Sequence, residues 1–422
     1  MLPSVQENAP VRYFTFFYLY FMQGVPSGFA LTALANFLTG QNVSPAAIGA
    51  FASAVGIPWV VQLGWGPLID RFSSSSEGPY KRWVVFTQLL AFGASLLLLI
   101  VKEPSQQMGL LAALFFTHSL FASVQDASVD AMAISLVEDR EKGRVNGFMR
   151  GGLLLGISFG AAGLSYLLHA YGFAVATGAM SAVLLLFTLL FMATPLYSQK
   201  APGPTLQVQP GSTPAFRLVF TRLLRRLLGR ESISVFGLVF LSYLCFSLFA
   251  RSLSFHLIKS LGWSDQQLSL FQGSWGAAIT LAVVLGGGYL ADRVHLKRMY
   301  YITITVLAVF LVLFNGYLLG HSGEGWVKSG LVFWGLADPL FSVSSFPLLM
   351  AICDKRIAGS QFTAYMALIN LSDVIGSFLC GWLLQVIFPP VIGLTAGFLL
   401  LVVVVSQLLV QVRKPTQTLE SG

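Results

Sequence analysis

The sequence predicts an all-α integral membrane protein with twelve transmembrane helices in two pseudo-symmetric six-helix bundles. Three observations point there: a composition too apolar for a water-facing surface, a succession of twelve apolar runs, and a short motif repeated at the same place in each half. Of the 422 residues, 55% are hydrophobic and only 10% charged, against roughly 25% charged in soluble domains. The 41 glycines suit helices that approach closely in lipid.

At about 20 apolar residues per crossing, the first six spans fall near 13–38, 46–69, 83–101, 108–136, 145–168 and 172–194. The second six fall near 233–258, 266–291, 299–319, 326–352, 361–387 and 390–411. The chain therefore divides into an N-terminal bundle (1–194), a basic linker (195–231) and a C-terminal bundle (232–422). The linker passes from a Pro/Gly/Gln-rich part to Arg217, Arg222, Arg225, Arg226 and Arg230. Its end reads either as a solvated run that enforces topology or as an interfacial amphipathic helix. The opening residues, Met1 to Arg12, do not read as a removable signal peptide.

Charge sets the expected orientation. Of the 25 Lys and Arg residues, Lys102, Lys259 and Lys328 fall on one side and Arg251 lies inside the seventh span; the other 21 share the side of the termini. By the positive-inside rule both termini are expected in the cytoplasm, with the protein in the cytoplasmic (inner) membrane. The net charge of +8 is thus assigned to membrane topology, and no nucleic-acid partner is expected. Cys245, Cys353 and Cys380 sit singly in apolar runs and read as packing residues, without metal or disulfide spacing.

An internal repeat supports the two halves. Gly64-Trp65-Gly66-Pro67-Leu68-Ile69-Asp70-Arg71 closes the second span, and Gly286-Gly287-Gly288-Tyr289-Leu290-Ala291-Asp292-Arg293 closes the eighth, with five of eight positions identical. Equivalent loops in two halves are what duplication produces. This pattern resembles the loop motif of the major facilitator superfamily, which implies two bundles rocking around a central site. The resemblance implies a gating role for Asp70, Arg71, Asp292 and Arg293; the plain alternative is that they anchor helix ends.

Polar residues at membrane depth are functional candidates. In the first half Asp126 and Asp130 stand four apart, on one helical face. A charge there costs on the order of 3 kcal/mol on insertion scales. Arg150 lies at a matching depth in the next span, so the three residues are expected to cluster, either as a proton-coupling site or as a static ionised group. Gln125-Asp126-x-x-x-Asp130-Ala131, with Gly143, Gly147 and Arg150-x-Gly152, is similar to segments of the AmpG-like permeases. Gly24-Val25-Pro26-Ser27-Gly28-Phe29, Pro58-Trp59, and Trp65, Pro67, Leu68, Asp70 and Arg71 extend the match. That group comprises muropeptide importers related to acetyl-CoA transporters and siderophore importers. Gln62 stands where the group usually carries lysine, and Met149 replaces a tyrosine before Arg150.

Gly24 and Pro26 predict a hinge that walls a cavity, or a simple kink; Gln23 sits beside them. Arg251 is the sharpest residue of the second half. Its planar fork suits a carboxylate or phosphate, and either an internal acid (Asp338 or Asp373) or an anionic substrate would engage it. Gln23, Gln62, Gln125, Arg251, Asp338, Asn370 and Asp373 are the substrate-binding candidates. The histidines are isolated and the glycine runs lack a following Gly-Lys-Ser/Thr, so neither an enzyme nor a metal or other cofactor is expected. The expected function is secondary transport of a small polar or anionic solute through the lipid bilayer. It is read as proton-coupled import by a monomer, of a cell-wall sugar-peptide fragment, a siderophore or another small molecule. A non-transporting receptor or scaffold is the alternative from another class.

Overall fold

The computed structural model describes residues 3–65, 69, 80–138, 141–197, 225, 227–275, 296–353 and 358–412. The first half comprises α1 (Ala9–Gly28), a π-helical stretch Phe29–Leu34, α2 (Ala35–Gly40), α3 (Pro45–Val60), α4 (Lys81–Leu97), α5 (Met108–Leu136), α6 (Lys142–Tyr171) and α7 (Phe173–Ala193). The second half comprises α8 (Arg230–Lys259), a helical stretch 265–275, α9 (Leu296–Leu318), α10 (Glu324–Ala351), α11 (Ala358–Leu383) and α12 (Pro389–Val412). Eight of the described helices are long and apolar enough to cross a membrane. In hydrocarbon a helix is the one open structure that satisfies its own backbone.

Local chemistry sets the ends. Asn8 Oδ1 accepts from the Val11 amide at 3.0 Å with Pro10 in the first turn, and Ser44 caps α3 ahead of Pro45. The helix Ala9–Gly28 continues through Gly24 and Pro26. Pro26 has no N–H for the preceding turn, and the ladder widens just after it, in the π-helical stretch.

Gly24 and Gly28 have a different task. A Cβ on either would run into α6 backbone at Leu153 or Ile157, and on α6 a Cβ at Gly152, Gly156 or Gly160 would meet the backbone at Phe17, Phe21 or Val25. The two helices thus interlock through glycines spaced four apart, which lets dispersion contacts and backbone approach replace the hydrophobic drive that lipid lacks.

The halves meet along two seams related by the repeat. In one, Gly49 of α3 faces α11, where an added Cβ would lie 2.6 Å from the Ser377 carbonyl oxygen. In the other, Gly273 faces α6, 2.7 Å from the Ser158 carbonyl oxygen. Span two against span eleven and span eight against span five are the same contact with the halves exchanged. Ser53 Oγ donates to the Val374 carbonyl at 2.9 Å across the first seam.

The α1–α6 seam yields a paired test. Gly156→Val should lower unfolding stability by about 1–3 kcal/mol or abolish folded protein. Gly147→Val, where a Cβ meets nothing within 4 Å, should change it by less than about 0.5 kcal/mol. Thermal unfolding of purified protein would report both.

Candidate functional site: an inter-half cavity, an acid pair and a polar latch

A cavity of about 430 Å³ lies between the two halves, walled by the π-helical stretch, α2, α3 and α6 on one side and by α8, residue Gln272 and α11 on the other. It occupies the half of the bundle away from the chain ends, called here the distal half. Two charged residues line it, Arg251 and Asp373. Arg251 Nη2 donates to Asp373 Oδ1 at 3.4 Å and Oδ2 at 3.3 Å. The arginine side chain is 20% exposed and the aspartate 45%, so the carboxylate faces open space. Arg251 Nε is buried without a hydrogen bond.

Ser247 and Ser377 hydroxyls both donate to the Asp373 backbone carbonyl, at 3.2 and 2.7 Å. Ser247 thereby ties α8 to α11, Ser377 bonds back within α11, and both leave the carboxylate unclaimed. Asn36 of α2 donates to Ser269 Oγ at 2.9 Å and Gln272 Oε1 at 3.1 Å, while Gln272 Nε2 donates to Ser254 Oγ at 3.2 Å. This network closes the distal side of the cavity and joins the halves.

Beyond it sits a latch. His169, in the last turn of α6, lies 2.7 Å from Asp265 Oδ2. Lys259 Nζ donates to Asn42 Oδ1 at 2.7 Å and to the Gly40 carbonyl at 3.3 Å. A Cβ on Gly40 would lie 3.1 Å from the Asp265 carboxyl carbon, so glycine there allows the approach. Asn42 adopts a left-handed φ of 62° at this turn, a conformation asparagine tolerates better than most residues.

The acid pair occupies the other half of the membrane depth. Asp130 is six residues from the end of α5, roughly 9 Å in, whereas Arg251 is eight from the opposite end of α8, roughly 12 Å in. Tyr20 donates to Asp130 Oδ1 at 2.5 Å and Gln62 Nε2 donates to Asp126 Oδ2 at 2.7 Å. Gln23 is buried next to Asp126. Trp65 Nε1 donates to Ser123 Oγ at 3.0 Å, one turn before Asp126.

This corrects the expected three-residue cluster. Arg150 does not pair with Asp126 or Asp130; its Nη2 lies 3.5 Å from Ser342 Oγ on α10, in the other half. Depth alone was the basis for the pairing, and α6 turns this position toward α10 rather than α5. Among the substrate candidates, Arg251 and Asp373 line the cavity. Gln62 serves the acid pair, and Gln125 is buried in α5 with an unbonded amide nitrogen. Asn370 reaches the Trp59 carbonyl across the seam at 3.4 Å. The Asp338 side chain, and Asp70, Arg71, Asp292 and Arg293, lie outside the described residues. Sequence reasoning missed Tyr20, hidden in an aromatic run, and Asn36, His169 and Asp265, which matter only through the partners the fold gives them.

The comparisons accord with this architecture. The Major Facilitator Superfamily profile matches residues 16–372, and again 235–422. The chain belongs to that superfamily. It is 25% identical over 391 residues to the anhydromuropeptide permease of Escherichia coli K12, spanning 86% of this chain and 72% of that protein. Among solved structures, a POT family transporter in complex with a thioalcohol-conjugated peptide aligns with a TM-score of 0.71 at 12% identity, covering 95% of this chain and 96% of that one. The inward-open xylose transporter of E. coli aligns with a TM-score of 0.68 at 12% identity, covering 92% and 96%. The superfamily protein described here is an MFS-type transporter with a small-molecule substrate and a multi-pass membrane setting.

The latch makes a conformational prediction. With spin labels at Gln41→Cys and Gln267→Cys in a chain lacking its three cysteines, Asp265→Ala should raise the population of long inter-half distances roughly tenfold, the equivalent of one charge-assisted hydrogen bond. Double electron–electron resonance would measure it.

Proposed function

We propose that this transporter imports a polar or anionic solute of the anhydromuropeptide type by alternating access, coupled to protons. The observation that carries the reading is the Arg251 guanidinium in the inter-half cavity, with hydrogen-bonding capacity left over. Arginine stays charged and its fork matches a carboxylate or phosphate. The cavity volume of about 430 Å³ lies within the usual range for small-molecule sites, about 300–1,000 Å³. The likeness to the anhydromuropeptide permease supports the substrate class.

The acid pair supports proton coupling. Like charges one turn apart at membrane depth resist joint ionisation, and the contacts that Asp126 and Asp130 make are with neutral donors, Gln62 and Tyr20. A proton taken up here removes one of the two charges and weakens the demand on those donors, both of which stand on other helices. Proton occupancy thereby bears on how α1, the helical turn Val61–Gly64 after α3, and α5 pack. In this reading both termini are cytoplasmic, the side that the bias of basic residues favours, and the linker 195–231 tethers the two bundles. The latch then faces outward and opens to admit solute. One chain suffices because both walls of the cavity come from it.

In proteoliposomes with an imposed pH gradient, Asp130→Asn or Asp126→Asn should abolish gradient-driven uptake of anhydromuropeptide while leaving counterflow measurable. Unchanged uptake would remove the acid pair from the coupling mechanism. Arg251→Lys should weaken substrate binding about tenfold despite the retained charge, because the fork is lost.

A further inference from the structure

The geometry points to a zwitterionic recognition site at Arg251 and Asp373: the solute is held by a carboxylate or phosphate on Arg251 and by an ammonium group on Asp373, and is selected by both charges. This rests on the transporter reading above and narrows its substrate class, since a negative charge alone would not complete the site.

The internal pair is held loosely. Its 3.3 and 3.4 Å separations are well beyond the ~2.7–2.9 Å of a strong charge-assisted bond. A single guanidinium nitrogen makes both contacts, while Arg251 Nε stays buried and unbonded. Asp373 shows the matching vacancy in its bonding. Among the described residues its carboxylate oxygens accept only from Arg251, and the nearby serine hydroxyls are committed to its backbone carbonyl. Each member of the pair therefore has directional capacity left over, and the aspartate presents almost half its side-chain surface to the cavity.

Charge balance decides between an anion and a zwitterion. The other polar residues of the wall are neutral, and Asn36, Gln272 and Ser254 bond chiefly to one another or to Ser269. An incoming anion on Arg251 would stand beside the Asp373 carboxylate with no further cation on the lining to offset it. In a cavity walled by protein that repulsion is screened less than it is in bulk water. A zwitterion instead supplies a partner of the right sign to each residue, so neither is left as an uncompensated charge. When the site is empty, the loose pair neutralises itself and keeps the cavity free of net charge.

The test uses the purified full-length protein and three matched probes: L-alanyl-L-alanine, its N-acetyl derivative and its amide, which are zwitterion, anion and cation. Thermal shift titration of the native protein should show the zwitterion binding ~10- to 100-fold more tightly than either blocked form, the range expected for one charged hydrogen bond. Asp373→Asn should reverse the order toward the N-acetyl anion, which a purely structural ion pair would not do. The double variant Arg251→Gln, Asp373→Asn leaves no unpaired charge in the cavity, and it should lose discrimination among the probes while remaining folded. Equal binding of zwitterion and anion by the native protein would overturn the inference and leave the anionic-solute reading intact. A response to none of the probes would also overturn it. Anhydromuropeptide uptake measured in parallel would report separately on the transport reading.

Discussion

Lipid gives an ionised side chain no water, so every charge at membrane depth must find a partner, a proton or a cavity. That constraint organises this molecule. The four residues that most clearly violate an apolar helix, Asp126, Asp130, Arg251 and Asp373, are each met by a specific answer. The first two receive Gln62 and Tyr20 from neighbouring helices. The other two pair with each other on the second-half wall of the cavity between the halves. The acids lie toward the chain ends and the Arg–Asp pair toward the distal face, so the two charge sites are separated in depth and belong to different halves.

Glycine supplies the mechanical frame for that separation. The α1–α6 seam lies within one half, and its reciprocal glycines lock two helices whose backbones nearly touch. The seams at Gly49 and Gly273 lie between the halves, and they are the same contact seen from each side of the duplication. Rigid packing within a half and close, polar-rimmed packing between halves are what a rocking motion needs: the bodies stay intact while the seams part. The Asp265 and Lys259 contacts are partly exposed and the Asn36 contact to Ser269 is buried, and a closure held by a few such hydrogen bonds stays reversible.

Legibility varied with the kind of signal. The helix 108–136 is read from sequence with the bounds the structure gives, because apolar run length translates directly into a crossing. Gly24 and Pro26 were less transparent, since a proline predicts a disturbed ladder without saying where the disturbance is absorbed or what the glycine touches. Arg150 was misread for a related reason. Spacing along a helix fixes depth and face, but which neighbour that face meets depends on how α6 is rotated against α1 and α10. Tyr20 left no trace among its aromatic neighbours, because its hydrogen bond to Asp130 spans 110 residues of sequence.

Membrane class, the twelve-span plan, the repeated loop and the identity of the expensive charges are all legible in the linear chain. These follow from local chemistry: transfer cost, hydrophobic run length and duplication are all written residue by residue. That Arg251 meets Asp373, that Arg150 turns to the second half, and that His169 and Asp265 join the halves emerges from the folded bundle. Those facts depend on helix rotation and on contacts between segments far apart in the chain, which dispersion packing and glycine approach fix only when the whole bundle is assembled.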